Sequence, residues 1–456
     1  MKKKINEKHI KIAFIILIFI FTLIISINIK EGNAPDEGMK RLVCEYIQKH
    51  SALPLGNDPE VVNQNWGTSY AFTPILSYII SAIFMKFVTL FSSNSHILTI
   101  AARFTSVLCY TGTAVMTIKI GDILFEKKKF YKWLFIILVT FLPQFIFLGA
   151  YINNDSIAVF STSIIVYSWL IGLKSNWNNK SIICLGIGIG ICALSYYNAY
   201  GYILTSLILF IFGFIINKKD KFDYKKFLKK FLIVFLISFA IAGWWFIRSY
   251  IVYDGDFLGL NASNQCAEEL ASDDLKPSNL QTPHKKHESI IHMITKSIWT
   301  KQMIRSFIGS FGSVSISLPN IVYLFYYMIF MLGMIGGIIY IIKNFISKIY
   351  KENKILLIIE IIFVLNIIIP NVLNLYYSYF SDFQPQGRYS MPMLIPFMYF
   401  ITLGLKEILE RILNIKLIKE KLLKNTENKK VENIIVLILI VVLIIISLVF
   451  LPRACK

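Results

Sequence analysis

The length of its apolar runs is what most constrains this chain. Again and again a stretch of about 17–25 residues passes with scarcely a charge, the helix length needed to cross a hydrocarbon core about 30 Å thick, and about a dozen such stretches are present. In hydrocarbon the backbone has no water to bond, so each run must be helical. With 56% of its 456 residues hydrophobic and 16% charged, the chain is excluded from the water-soluble globules. The expected class is an all-α integral membrane protein.

A formal net charge of +20 is also what a nucleic-acid binder carries, but here the basic residues sit in short segments between apolar runs. That distribution is a topology signal and points to no nucleic acid. Lys2 to Lys4, Lys127 to Lys129, Lys218 to Lys230, Lys343 to Lys354 and Lys406 to Lys430 mark segments that resist translocation, and all five are assigned to the cytosol. The first run has a basic start but no small-residue cleavage site, so it reads as a retained helix. Six cysteines are too few and too scattered for a disulfide framework. Cys44 and Cys266 alone fall in external segments, as two free thiols or a pair.

Counting crossings from a cytosolic N-terminus places Glu31 to about Tyr70 outside and Glu126 to Lys132 inside, so an odd number of crossings separates them. Two apolar stretches lie between, Ala71 to Phe91 and Ile97 to Lys119. The first is assigned to the interface, because Pro74 and Lys86 interrupt it and Tyr70, Phe72, Tyr78 and Phe84 suit a surface-lying helix. About eleven spans then agree with every lysine cluster. They lie near Ile10–Ile29, Ile97–Lys119, Trp133–Ala150, Ser156–Gly172, Ser181–Asn198, Tyr202–Ile216, Phe231–Ile251, Ile321–Ile342, Ile355–Ile369, Met391–Leu409 and Ile434–Leu451. The external regions are 31–95, 253–320 and 371–390, with a short turn at 151–155.

Three polar motifs fall on that outer face. Asn33-Ala34-Pro35-Asp36-Glu37-Gly38 holds two adjacent carboxylates just beyond the first span, stiffened by Pro35, where a general base for a hydroxyl acceptor would be needed; an acidic turn closing the helix is the bland alternative. Asn153-Asn154-Asp155 offers oxygens to a divalent cation or partners to sugar hydroxyls, or is a polar turn in a helical hairpin. Arg103, Arg248 and Arg388 stand near the outer ends of spans, where guanidinium suits a phosphate, though any one of them can simply snorkel. Trp244 and Trp245 read as belt residues before sugar platforms. Glu360 is expected to reach the interface, Lys119 and Asp122 to form a helix pair, and His284, His287 and His292 to be solvated rather than to bind metal.

In order along the chain these pieces resemble the C-type membrane glycosyltransferases (GT-C). Asp36-Glu37, the stretch Ala71 to Phe91 and Asn154-Asp155 match an acidic motif after the first span, an interfacial helix, and a second polar motif after the third. The likeness extends to family 39-like enzymes and a related group of uncharacterised bacterial multi-pass proteins, through Ala102-Arg103-Phe104-Thr105-Ser106, Gly243-Trp244-Trp245 with Arg248, Tyr253-Asp254-Gly255-Asp256, Ser306 to Gly312, and Gln386-Gly387-Arg388-Tyr389. Asp155 is a single carboxylate where metal-dependent oligosaccharyltransferases carry more, so a divalent cation stays an open expectation.

The resemblance implies a GT-C-like bundle in a bacterial cytoplasmic membrane, with its site facing outward. It implies Asp36 as base, Glu37 as acceptor-binding partner, and Arg248 or Arg388 near the phosphate of a polyprenyl-phosphate sugar, with a glycan, lipid or protein acceptor. A transporter or flippase of lipid-linked sugars is the alternative. It would need the arginines but not the external carboxylates, and would be expected to show inverted repeats.

Overall fold

The computed structural model describes residues 7–216, 223–312, 314–415 and 428–454. Lys2 to Lys4, Lys218 to Lys221 and Lys416 to Lys424 lie outside the described residues. The chain is helical nearly throughout. Its helices are α1 (Glu7–Asn28), α2 (Glu37–His50), α3 (Leu76–Val88), α4 (Ser95–Leu124), α5 (Lys129–Thr140), α6 (Pro143–Leu148), α7 (Asp155–Ser175), α8 (Asn179–Ala193), α9 (Gly201–Ile216) and α10 (Tyr224–Val252). The second half adds α11 (Leu260–Leu270), α12 (Ile290–Thr295), α13 (Trp299–Gly309), α14 (Asn320–Ile346), α15 (Ile349–Glu352), α16 (Lys354–Phe380), α17 (Leu394–Leu413) and α18 (Asn428–Ala454). A two-stranded ribbon, β1 (Ser310–Phe311) and β2 (Ile316–Ser317), follows α13.

Nine of the described helical segments are long and apolar enough to cross a membrane. The expected alternation counts two shorter segments as crossings as well: α8, and the pair α5 and α6. Pro143 interrupts that pair and removes an amide donor. The freed carbonyls are met by hydroxyls from neighbouring helices: Tyr110 donates to Thr140 O, Ser447 Oγ to Phe141 O at 2.6 Å, and Tyr326 to Phe141 O at 3.3 Å. That is the only way a break can persist where water is absent.

By contrast α3 has 13 residues, about 20 Å of helix, too short for the hydrocarbon core. It packs instead against α2 and α4, with Ser81 Oγ donating to Ala102 O at 2.8 Å. Consistent with a single crossing between them, the lysines at 127–129 lie at the end of the bundle opposite Asp36, where Lys11 and Lys132 clasp Asp122 at 2.8 and 3.0 Å.

Three sequence readings are corrected here. Asp122 does not pair with Lys119, whose ammonium lies over the Tyr167 ring at 5.6 Å, because Lys11 and Lys132 from other helices reach Asp122 first. Glu360 does not reach an interface; it is buried and accepts hydroxyls from Tyr340 (3.0 Å), Tyr399 (2.8 Å) and Tyr350. And α16 does not stop near Ile369 but runs to Phe380 through Pro370, with Asn371 Nδ2 donating to Ile367 O at 2.7 Å, so the loop before Arg388 is much shorter than 371–390. Cys44 and Cys266 are both free thiols.

The C-terminal end of α1 is held by one buried arginine. Arg103 on α4 is fully buried, and its Nη1 donates to Ser26 O (2.7 Å) in the last turn of α1 and to Ile29 O (2.8 Å) just beyond its end, where the helix leaves carbonyls unmet. Its Nε and Nη2 grip both oxygens of Glu37 at 2.8 and 2.7 Å, and the Ile152 amide donates to the same carboxylate at 3.0 Å. One guanidinium therefore fixes α1, α2 and the turn before α7. Replacing Arg103 by Met strands a buried carboxylate and two carbonyls, and is expected to destabilise the protein by about 3–5 kcal/mol. Thermal unfolding of the purified protein in detergent checks this, and an unchanged midpoint would contradict it.

Candidate active site

Asp36 opens α2 in a way that breaks the usual pattern of helix initiation. An N-cap aspartate ordinarily has extended backbone and accepts a first-turn amide. Here φ is 56° and the side chain makes no capping bond. Aspartate tolerates the left-handed region better than most residues. The carboxylate is thereby aimed at Arg388, whose Nη2 donates to Oδ2 at 2.7 Å. Tyr70 OH donates to the same oxygen at 3.1 Å, and Lys40 Nζ stands 3.9 Å from it.

Lys40, one turn along α2, is 1% exposed. It donates to Pro35 O at 3.2 Å and lies over the rings of Tyr70 (5.0 Å) and Tyr151 (5.7 Å). Such aromatic faces offset part of the loss of water around an ammonium. Burial pulls its pKa down to about 8 against the opposing pull of Asp36, with Arg388 lowering it and Asp155 raising it further along. For Asp36 burial acts upward, but the charges of Lys40 and Arg388 and the bonds from Arg388 and Tyr70 outweigh it and hold the carboxyl at about 2.

Arg388 belongs to a 3₁₀ segment, Gly387–Met393, that leads into α17. A side chain at Gly387 would come within 2.3 Å of Phe307 N and 2.4 Å of Met303 O, so only glycine lets this segment press against α13. Polar residues of α16 hold its other side: Asn374 Nδ2 donates to Gln386 O at 3.2 Å and Ser378 Oγ to Gln384 O at 3.1 Å. The guanidinium lies over the Tyr389 ring at 5.0 Å, and its Nε is buried without a partner.

Asp155, at the start of α7, is 4% exposed and electrostatically coupled to Arg388, Lys40 and Asp36. Asn153 shapes the turn that carries it, donating to Leu148 O and Tyr151 O at 2.7 Å each and accepting from Ser156 N at 2.8 Å. Asn154 Nδ2 and Tyr78 OH are buried without partners, and Tyr78 is coupled to both Asp155 and Asp36. Unmatched donors beside carboxylates suit a ligand rich in hydroxyls and anionic oxygen.

Of the residues expected here, then, Asp36, Asp155 and Arg388 come together with Asn154 alongside. Glu37 and Arg103 do not join them. They satisfy each other in the core, so neither the acceptor nor the phosphate role fits their contacts. Arg248 stands apart too: its Nη2 donates to Pro54 O at 2.8 Å and it lies over Trp245 at 5.3 Å, while its Nη1 is buried without a partner. Trp245 is buried and Trp244 partly exposed. His284 packs on Phe380 at 4.9 Å and His292 on Glu288. Sequence reading missed Lys40 and the tyrosines Tyr70, Tyr78 and Tyr151; the i,i+4 spacing from Asp36 to Lys40 was the available signal.

A divalent cation does not fit this donor set. The two carboxylates already face Lys40 and Arg388, and Asp36 Oδ2 is taken by two donors. Hard cations take about six or more oxygens, and among the described residues no group of three or more His, Cys, Asp or Glu could hold a metal ion.

The same arrangement of helices is found in solved GT-C enzymes. The Archaeoglobus fulgidus oligosaccharyltransferase in its apo form superposes with a TM-score of 0.55 at 12% identity, over 97% of this chain and 56% of that one. The archaeal oligosaccharyltransferase AglB from the same organism, in complex with an inhibitory peptide and a dolichol-phosphate, gives 0.54 at 11%, again over 97% and 56%. ArnT from Cupriavidus metallidurans in the apo state gives 0.51 at 10%, over 99% of this chain and 74% of that one. The chain thus spans little more than half the length of the oligosaccharyltransferases, and at these identities the likeness is one of fold. No curated protein matches in sequence. The fold is GT-C, and a family model matches residues 48–398: the chain belongs to DUF2142, a family described as predicted membrane proteins.

Proposed function

We propose that this protein is a glycosyltransferase that takes a sugar from a polyprenyl-phosphate carrier and passes it to an acceptor hydroxyl at the outer face of a bacterial cytoplasmic membrane. The observation that carries this reading is the convergence of Asp36, Lys40, Asp155 and Arg388 at one end of a GT-C bundle. The described lysine clusters at the opposite end support an outward orientation.

In this reading Arg388 meets the carrier phosphate, using the Nε that no protein group satisfies. As the phosphate draws the guanidinium, Asp36 loses its strongest partner and becomes basic enough to take the acceptor proton. The acceptor oxygen then attacks the anomeric carbon from the side opposite the phosphate. The bond from that carbon to the phosphate oxygen breaks, the polyprenyl phosphate leaves with the electron pair, and the configuration inverts. A phosphate needs little protonation to depart; fixed positive charge from Arg388 stabilises it. Asp155, Asn154 and Tyr78 offer partners to the sugar hydroxyls.

The carrier's tail has a matching place. An apolar cavity of about 470 Å³ lies between α8, α9 and α10, lined by Leu185, Ile189, Leu204, Leu207, Phe231 and Phe235. Tyr200, one of its lining residues, follows the turn whose Asn198 donates to Tyr389 O at 2.9 Å, next in sequence to Arg388.

Asp36→Asn keeps a residue that tolerates the left-handed backbone, so the fold is retained while transfer from polyprenyl-phosphate sugars falls about 10²–10⁴-fold. Release of polyprenyl phosphate by purified protein, across a panel of hexose and pentose donors, reads this out; full activity in the variant would remove Asp36 as base. Leu207→Trp fills the groove and is expected to raise KM for a long-chain donor on the order of tenfold, ~1.4 kcal/mol, while leaving a donor of one or two isoprene units unchanged. Equal effects on both would place the tail elsewhere.

A further inference from the structure

A site with two carboxylates at a lipid boundary would ordinarily need outside positive charge to stay assembled. Here the chain supplies it. Lys40 Nζ is 3.9 Å from Asp36 Oδ2 and coupled to Asp155, while Arg388 Nη2 is 2.7 Å from the same Asp36 oxygen and coupled to Asp155 as well. The pair formed by Glu37 and Arg103 is neutral by itself and closed off from the others by its own bonds. The open part of the site therefore sets two carboxyl groups against two cationic side chains, none of which can diffuse away.

We propose that Lys40 is the resident cation of this site, occupying with Arg388 the electrostatic place of a divalent metal ion, so that the protein works without one. This rests on the transferase reading only for what the charge is used for; the arrangement of these groups does not depend on it. Lys40 acts through Asp36 and Asp155 as a positioning residue. Its ammonium is caged from every side that the structure shows: Pro35 O accepts a hydrogen bond from it, Tyr70 and Tyr151 cover it with their rings, and Asp36, Asp155, Glu37 and Arg388 are the charged groups in range. A freely hydrated lysine could not hold a fixed position; this one is held by contacts to three separate parts of the chain.

The consequence is a site that gains a metal when it loses Lys40. Lys40→Met keeps the length and apolar stem of the side chain but removes one of the two cations and opens Asp36 and Asp155 to a hard cation held through two carboxylates and several of its own waters. Lys40→Arg keeps the charge. The test uses the full-length protein in detergent and Mn²⁺ alone, with free Mn²⁺ followed by its electron paramagnetic resonance signal. Wild type and Lys40→Arg are expected to leave an equimolar Mn²⁺ signal undiminished. Lys40→Met is expected to remove it with one-to-one stoichiometry, and adding Asp155→Asn to that variant is expected to restore it.

Mn²⁺ bound by the wild type in a manner abolished by Asp155→Asn would overturn the proposal, as would a Lys40→Met protein, monodisperse and folded, that takes up none. If Lys40→Met does not fold, the wild-type and Lys40→Arg arms still decide. No sugar donor enters these measurements, so their outcome is separate from that of the transfer assay. Where transfer is measured, the wild type is expected to be unaffected by chelator and to lose activity as pH rises through about 8, where Lys40 gives up its proton. Lys40→Arg, which cannot titrate there, is expected to lack that alkaline limb.

Discussion

An ion pair between residues 352 positions apart closes the structure around its site. Asp36 follows the first helix and Arg388 precedes α17, so their meeting at 2.7 Å requires nearly the whole bundle to be in register. The pairing is bought with local irregularity. Asp36 gives up its capping bond and takes a left-handed backbone, and Gly387 gives up a side chain so that the next residue can lie against α13. Irregular backbone and unmatched polar atoms are unfavourable in lipid, and this pair carries both: a left-handed Asp36 and an unpartnered Arg388 Nε.

Around that pair the bundle divides its polar residues between two tasks. Arg103 with Glu37, and Asn153 with Ser156 and Ser77, are saturated and build the walls. Arg388 Nε, Asn154 Nδ2 and Tyr78 OH are unsaturated and face one another's neighbourhood. The same residue type can serve either task, and the difference lies in the partners: Arg103 makes four hydrogen bonds to protein, whereas Arg388 and Arg248 each keep a donor to spare, and only Arg388 pairs with Asp36. Close packing elsewhere supports this precision. A Cβ at Gly336 would meet Gly404 O at 2.1 Å, so α14 and α17 touch backbone to backbone, as small residues allow between membrane helices.

Much of the architecture was legible in the chain. Run length separates the spans, the lysine clusters require an odd number of crossings between Tyr70 and Glu126, and Pro74, Lys86 and the aromatics of Ala71 to Phe91 point to that stretch as the non-crossing one. The Asp36 and Asp155 motifs were found because carboxylates are rare in so apolar a chain. What could not be read was which polar residue would be spent on structure. Arg103, Arg248 and Arg388 look alike in sequence, each beside aromatic or small residues near a helix end, and only tertiary contacts show that Arg103 is closed off by Glu37 and that Arg248 is held by Pro54. Lys40 was passed over because lysine had been read as a topology marker, and its burial comes from Tyr70 and Tyr151, which lie far away in sequence. The run of α16 past Pro370 was hidden for a related reason, since the polar Asn371, Asn374 and Ser378 look like a loop until the segment they hold is seen.

The family match begins at residue 48, after Asp36 and Lys40, while Asp155 and Arg388 lie within it. The pocket is thus assembled from both sides of that boundary, and the account stands on those two parts meeting around a ligand. The most direct measurement is an experimental structure of the full-length protein with undecaprenyl phosphate bound. The account predicts phosphate density within hydrogen-bond distance of the Arg388 guanidinium, Asp36 released from that guanidinium, and the isoprenoid chain along α8, α9 and α10. Phosphate bound at Arg248 or elsewhere, with Asp36 and Arg388 still paired, would contradict it.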